Sequence, residues 1–551
     1  MKSTMQDYPL TTGRLLRYGS TVHGTSTVST WTGDGIRTST YAQIGERAAQ
    51  LAHALRELGV VGDARVGTFM FNNTEHLEAY LAVPSMGAVL HTLNVRLFPD
   101  QLVYVVTHAA DHAIIVDAAL APVLAKVLPQ LHTVRHVLVA AGAGSSDEAA
   151  DMLRAALPSP DVIVHDYDVL LEGKPRSFDW PDLEETDGAA ICYTSGTTGS
   201  PKGVVYSHRS IWLHSTQVNM LEGFGLSDRD TVLAVVPQFH AMAWGLPFAA
   251  FMTGASLLMP DRYLQAAPLV RMIAECKPTF SAAVPSIWGD VLRYLDENGG
   301  DVSSLREVVV GGSACPPSLM TGMLDRHGVR IIHAWGMTET SPLGSVSRPP
   351  RSALGTDREF DYRVSQGRLP ASVEARLVGP DGTIVPNDGE AVGELEVRGP
   401  WVAASYFHDS GDDKFRDGWL RTGDVGSVSP DGFLRLTDRS KDVIKSGGEW
   451  ISSVELENAL MAHPAVVEAC VVGVPDDRWG ERPLATVVVR EGSAVGFEEL
   501  RDFLAARVAR WQLPERWAVI EEVPKTSVGK FDKKVVRQRY ADGQLDVTNL
   551  G

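Results

Sequence analysis

The residues best suited to handling a polyanion lie in Tyr193–Gly203, which reads YTSGTTGSPKG. These eleven residues hold three glycines, five serines or threonines and one lysine. Glycine lets the backbone turn with successive N–H groups facing inward, and such a nest binds anions. Thr194, Ser195, Thr197 and Thr198 add hydroxyl donors, and Lys202 adds a charge. The preceding run Ala189–Tyr193 reads as a buried strand. The loop therefore sits at a strand end, where α/β sheets hold ligands. The same composition suits an ordinary surface loop, and a Walker pattern is absent.

Seven further stretches carry chemistry. His333–Thr340 (HAWGMTET) sets an aromatic beside a glycine, able to stack on a planar base. Its Thr338 can donate to a phosphate, and Glu339 is a hard oxygen ligand of the kind Mg²⁺ takes alongside substrate phosphates. A capped helix start is the plain alternative. Gly311–Pro317 (GGSACPP) follows a strand-like run, and its glycines permit close backbone approach. Cys315 has no activating base placed near it by sequence, so a nucleophilic role is disfavoured. In Trp419–Asp424 (WLRTGD), Asp424 can accept two hydroxyl hydrogen bonds, although Asp beside Gly is usually a turn. Asp438–Asp442 (DRSKD) is a charged connector, Lys445–Ile451 (KSGGEWI) sets two glycines between Lys445 and Trp450, and Pro524–Lys530 (PKTSVGK) ends in a lysine after glycine. Pro237–Trp244 (PQFHAMAW) contains His240 and Trp244, each of which alone would suit a core. From Val235 to Pro260 there is no Asp, Glu, Lys or Arg. A buried substrate ammonium would lack a partner there, whereas an apolar group fits.

In this order, these motifs resemble the adenylate-forming superfamily, most closely the bacterial medium- and long-chain fatty-acyl-CoA synthetases, over nearly the whole chain. The resemblance implies ATP-dependent conversion of a carboxylic acid to acyl-AMP and pyrophosphate, then transfer to coenzyme A. It assigns phosphate binding to Ser195, Gly196, Thr197, Thr198, Gly199 and Lys202, and Mg²⁺ to Thr194 and Glu339. The nucleotide falls to Gly312, Ser313, Ala314, His333, Ala334, Trp335, Gly336, Thr338, Asp424 and Arg439. Trp335 stands where the family commonly has Tyr, which keeps a ring face. The acyl group falls to His240, Ala241 and Trp244, the last as a gate. Lys441 is the hinge position, Lys445 and Trp450 belong to the loop facing the thiol, and Lys530 is the adenylation lysine. With Thr194, Glu339 and His240 it completes the expected catalytic set. Related enzymes use other acids, an amine acceptor or a carrier-protein thiol, and these alternatives stay open, as does a binding protein that has lost catalysis. The implied assembly is a homodimer built partly from the N-terminal region.

The chain has 551 residues, too many for one core, and carries 50 Lys and Arg against 68 Asp and Glu, a net charge of −18. That balance argues against nucleic acid or an anionic membrane as partner. The four cysteines, Cys192, Cys276, Cys315 and Cys470, show no paired or metal spacing, so a reducing cytoplasm is expected. No apolar run is long enough to span a membrane. The N-terminus lacks a signal-peptide core, and the C-terminus carries no peroxisomal tripeptide.

The elements that would position these motifs alternate. A helix is expected over Thr40–Gly59, capped by Thr40 with Gln43, and another near Glu75–Val83. Strands are expected at Val66–Met70, Ala113–Val116, His136–Ala140, Ala189–Tyr193, Thr231–Val236 and Glu307–Val310. This is an α/β pattern of βαβ units. Residues 1–36 give no firm reading. From about Val373, strands with Asp-Gly turns at Asp381 and Asp431 predict a small β subdomain, about 365–438. After Asp438 a helix near Val454–Ala462, strands at Glu468–Val474 and Leu484–Val489, and a helix at Phe497–Arg507 predict a second unit. The expected architecture is an N-terminal domain (1–438) of two helix-covered sheets plus the β subdomain, a hinge at 439–442, and a small mobile α+β C-terminal domain (443–551).

Overall fold

A computed structural model describes residues 1, 3–142, 145–157, 162–194, 200–379, 381–409, 413–439, 441–446, 449–493, 495–526 and 531–550. Of the expected site, Ser195, Gly196, Thr197, Thr198, Gly199 and Lys530 lie outside the described residues, as does the Trp450 side chain.

The N-terminal part is built on two α/β sheets. One has seven strands. Six run parallel, and Gly203–Ser207 turns back antiparallel beside Gly188–Tyr193. The other has a parallel centre formed by Ser256–Met259, Thr231–Leu233, Phe280–Ala283, Glu307–Val310 and Arg330–Gly336. Its ladder continues without interruption, now antiparallel, through Leu343–Val346 and Gly367–Arg368 into the strands of the β subdomain. The subdomain is thus an extension of this sheet. A single apolar core, including Tyr41, Leu51, Tyr80, Ala190, Phe251 and Val309, fills the space between the two sheets and their helices. The C-terminal part has its own six-stranded sheet and separate core around Leu456, Val471, Val487 and Trp517.

Local physics explains the elements. The helix Tyr41–Glu57 begins at the anticipated capping box: the Gln43 N–H donates to Thr40 Oγ1 (3.2 Å) and the Thr40 N–H to Gln43 Oε1 (2.8 Å). Residues 1–36, unread from pattern, form the helix Thr12–Val22 and the strands Thr27–Trp31 and Ile36–Thr40. The helix was illegible because only Leu15, Leu16 and Gly19 carry its apolar face, among hydroxyls and charges. Gly19 seats it against Phe251, where an added methyl would lie 2.4 Å from the ring. Gly19→Ala should therefore cost about 1–3 kcal/mol through overpacking. Thermal unfolding checks this, and an unchanged Tm would contradict the placement.

Candidate functional site

The anion loop, Pro237–Trp244, Gly311–Pro317 and His333–Thr340 each emerge at or near the C-terminal end of a strand, the usual ligand position in such sheets, whereas Trp419–Asp424 forms the first half of the antiparallel strand Trp419–Val428. The anion loop closes a hairpin between Gly188–Tyr193 and Gly203–Ser207. At its base the Thr194 N–H donates to the Lys202 carbonyl (2.9 Å), and the Lys202 N–H donates to Thr194 Oγ1 (3.3 Å). Lys202 Nζ lies 3.4 Å from Asp409 Oδ2 and 4.8 Å from the centre of the Tyr406 ring. The Phe407 N–H donates to the Gly203 carbonyl (2.8 Å), tying the 401–409 segment to the loop.

Glu339 lies in the short turn Thr338–Thr340 and is only 3% exposed. A buried carboxylate needs compensation. The Tyr406 hydroxyl donates to Glu339 Oε1 (2.5 Å), and Lys414 Nζ lies 3.4 Å from the same oxygen. The turn is fixed by the Ala403 N–H donating to the Glu339 carbonyl (2.8 Å) and the Tyr206 hydroxyl donating to the Thr338 carbonyl (2.6 Å). Burial pushes the Tyr206 phenol well up, so it remains a donor. Tyr206 belongs to the strand that leaves the anion loop, so Glu339 and Lys202 are positioned by one framework.

Asp424 receives the Trp335 indole N–H on Oδ2 (2.8 Å), while Arg439 Nε approaches Oδ1 (3.4 Å) from the paired strand. Gly423, at φ 76°, supplies the left-handed conformation just before it. Trp335 was expected only to offer a ring face. It also orients the carboxylate, and its ring is packed with Val397, Trp401 and Leu420. Gly336 is required on steric grounds, because a Cβ would lie 1.9 Å from the Pro342 carbonyl oxygen. His333 is buried, which lowers its pKa, and its Nδ1 faces the Val364 carbonyl at 3.3 Å. The Ser313 backbone also lies close enough to act on it. Ala334 presents its carbonyl 2.9 Å from the position of a Gly311 Cβ. Cys315 is buried, with its thiol pushed up by burial, consistent with packing rather than nucleophilic attack.

His240 stands between two cavities. One is lined by His91, Asn94, Tyr193, Thr194, Phe239 and His240 among others, at the base of the anion loop. The other is lined by Val236, Phe239, His240, Trp244, Val284 and Ile287, with Arg96 as the charged residue on its described walls. Asn72 aims this stretch: its Nδ2 donates to the carbonyls of Ala234 (2.6 Å) and Val236 (2.7 Å), and its Oδ1 accepts from the Gln238 N–H (2.7 Å). These side-chain bonds begin just after the expected strand Thr231–Val236 ends, at Leu233. Ala241, Met242, Ala243 and Trp244 then take positive φ of 41–55°, ending at Gly245 with φ 78°. Such a left-handed turn is costly for residues with a Cβ. It delivers Trp244 to Gly311, where a Cβ would lie 3.3 Å from the indole.

In the C-terminal part, the Ser453 N–H donates to Asp438 Oδ2 (2.7 Å), and Arg537 Nη2 binds Asp442 Oδ1 (2.6 Å) and the Lys441 carbonyl (3.3 Å). The Lys445 N–H donates to Glu481 Oε2 (2.9 Å). Sequence reasoning missed Tyr406, Asp409, Lys414, Arg96 and Arg537. Tyr406, Asp409 and Lys414 lie between recognisable motifs, and no local spacing marks them.

The chain belongs to the AMP-binding enzyme family. The family model matches residues 20–407, and the AMP-binding enzyme C-terminal domain model matches residues 455–530. The 3-methylmercaptopropionyl-CoA ligase of Ruegeria pomeroyi is 42% identical over 545 residues, covering 98% of this chain and 99% of that protein. The long-chain-fatty-acid–CoA ligase of Thermus thermophilus is 41% identical over 547 residues, covering 98% and 97%. Among solved structures, the anthranilate CoA ligase AuaEII in complex with anthranoyl-AMP superposes with a TM-score of 0.85 at 27% identity, covering 98% of this chain and 100% of that one.

Gly311→Ala tests the contact between the base-facing strand and the apolar cavity. The new methyl would press on Trp244, so kcat/KM for the acid should fall about tenfold, the scale of one misfitted methylene. The same methyl would lie 2.9 Å from the Ala334 carbonyl on the nucleotide wall, so the KM for ATP should rise as well. Steady-state kinetics with each substrate varied separately would show this, and an unchanged acid dependence would contradict it.

Proposed function

We propose that the protein is an AMP-forming acid–thiol ligase that activates a medium- or long-chain fatty acid and transfers it to coenzyme A. The observation that carries the reading is His240, which lines both the cavity at the anion loop and the apolar cavity. A carboxylate held at that junction has its apolar tail against Val236, Phe239, Trp244 and Ile287, and its oxygens toward Thr194. One carboxylate oxygen attacks the α-phosphorus of ATP, the bond to pyrophosphate breaks, and acyl-AMP forms. A thiol then attacks the acyl carbon, and AMP departs with that oxygen. Positioning and charge compensation do most of such work. Asp424, held by Trp335 and Arg439, is set to accept ribose hydroxyls. Lys202 and the loop base meet the phosphates.

Glu339 and Thr194 offer hard oxygens suited to Mg²⁺, and both described contacts to the Glu339 carboxylate fall on Oε1. Bound there, Mg²⁺ would neutralise phosphate charge. Rotation about Lys441, bringing first Lys530 and then the Lys445–Trp450 loop to the site, completes the proposal. With it go the domain limits 1–438 and 443–551, a homodimer, and a cytoplasmic location in keeping with four free cysteines. A short thioether acid is the second reading, favoured by the Ruegeria relative and by Trp244 closing onto Gly311.

Acid-dependent pyrophosphate release, measured over fatty, thioether, aryl and amino acids with and without coenzyme A, tests this. Release that does not depend on an acid would overturn it. Lys530→Ala should lower adenylation at least about 10²–10³-fold while sparing thiolysis of supplied acyl-AMP. Equal loss of both half-reactions would contradict the role.

A further inference from the structure

Two lysines from distant parts of the chain converge on Tyr406. Lys202 Nζ is 4.8 Å from the ring centre and Lys414 Nζ is 6.0 Å from it. Each ammonium also has a carboxylate: Asp409 Oδ2 at 3.4 Å for Lys202, and Glu339 Oε1 at 3.4 Å for Lys414. The Tyr406 hydroxyl donates to that same Glu339 oxygen. Lys414 is anchored through its carbonyl, which accepts the Arg421 N–H (2.7 Å) on the strand that bears Asp424. Its side chain is 40% exposed while that of Glu339 is 4% exposed, so the lysine side chain reaches solvent and the glutamate is buried.

We propose that Lys414 is a second phosphate-binding lysine of the site, exchanging Glu339 for an oxygen of a bound triphosphate or pyrophosphate. The inference rests on the reading of Glu339 as the ligand of a divalent cation. With a divalent cation held at Glu339, the Lys414 ammonium, 3.4 Å from that carboxylate, would be repelled and no longer needed to compensate it. The nearest demand for positive charge is then the β- and γ-phosphates carried in with the cation. Lys202, at the base of the anion loop, and Lys414 thereby grip the polyphosphate from either side of Tyr406. Until nucleotide arrives, Lys414 keeps the Glu339 charge compensated and the turn in place.

This exchange predicts opposite signs that a merely structural lysine would not give. In Lys414→Ala, the Kd of ATP with Mg²⁺ and the Kd of pyrophosphate should each rise about tenfold, the scale of one charge-assisted contact. The affinity for AMP, which lacks those phosphates, should stay within about twofold of wild type. The Mg²⁺ concentration that half-saturates ATP binding should fall, because the metal no longer competes with an ammonium for Glu339. Lys414→Arg should keep most of the ATP affinity. Isothermal titration of the full chain with ATP, pyrophosphate and AMP over a Mg²⁺ series reads all four. Unchanged ATP and pyrophosphate affinity in Lys414→Ala, or an equal loss for AMP, would overturn the inference and leave the proposed function standing. A wild-type chain that binds no ATP at any Mg²⁺ concentration would sink both.

Discussion

The constraint on which this structure turns is the meeting of like charges. A carboxylate must touch a triphosphate inside a protein whose own net charge is −18. Bulk electrostatics therefore repels both partners, and local cations must reverse the sign. Two lysines placed for this, Lys202 and Lys414, are each paired with a carboxylate, Asp409 and the buried Glu339. Burying Glu339 demands donors, and Tyr406 and Lys414 supply them from the 401–414 segment. The same segment is bonded to Gly203 at the anion loop. Satisfying one buried charge thus locks together three stretches that are far apart in sequence.

The two sheets serve this arrangement through geometry. Parallel strands bring their C-terminal ends to one side, so Thr194, His240, Gly311 and Trp335 arrive at a common region from separate crossover units. The antiparallel continuation into the β subdomain has a separate consequence. It carries Asp424 and Arg439 back toward Arg330–Gly336, where the Trp335 indole meets Asp424. Had the subdomain been detached, that hydrogen bond would have required a flexible linker to settle in one pose.

Much of this was legible from pattern. The strands His136–Ala140 and Glu307–Val310 appear with their expected limits, and the Thr40 cap closes as anticipated. These are local features, set by apolar runs and by a side chain within reach of its own backbone. What escaped was set by tertiary contact. The helix Thr12–Val22 is specified by Phe251, and the course of Val236–His240 by Asn72. The left-handed turn at Ala241–Trp244 has four residues that disfavour it locally. Tyr406 and Lys414 have no neighbours in sequence that mark them. They acquire a role only when the chain returns to Glu339, and no periodicity records that return.

The chemistry of this site turns on which bond the acid makes. If the carboxylate oxygen attacks the α-phosphorus, acid labelled with ¹⁸O in both carboxyl oxygens must leave one label on AMP after a complete turnover with coenzyme A. Mass spectrometry of the AMP reads this directly. One ¹⁸O atom per AMP is the predicted result. Unlabelled AMP, or label in inorganic phosphate instead, would contradict the chemistry assigned to this site.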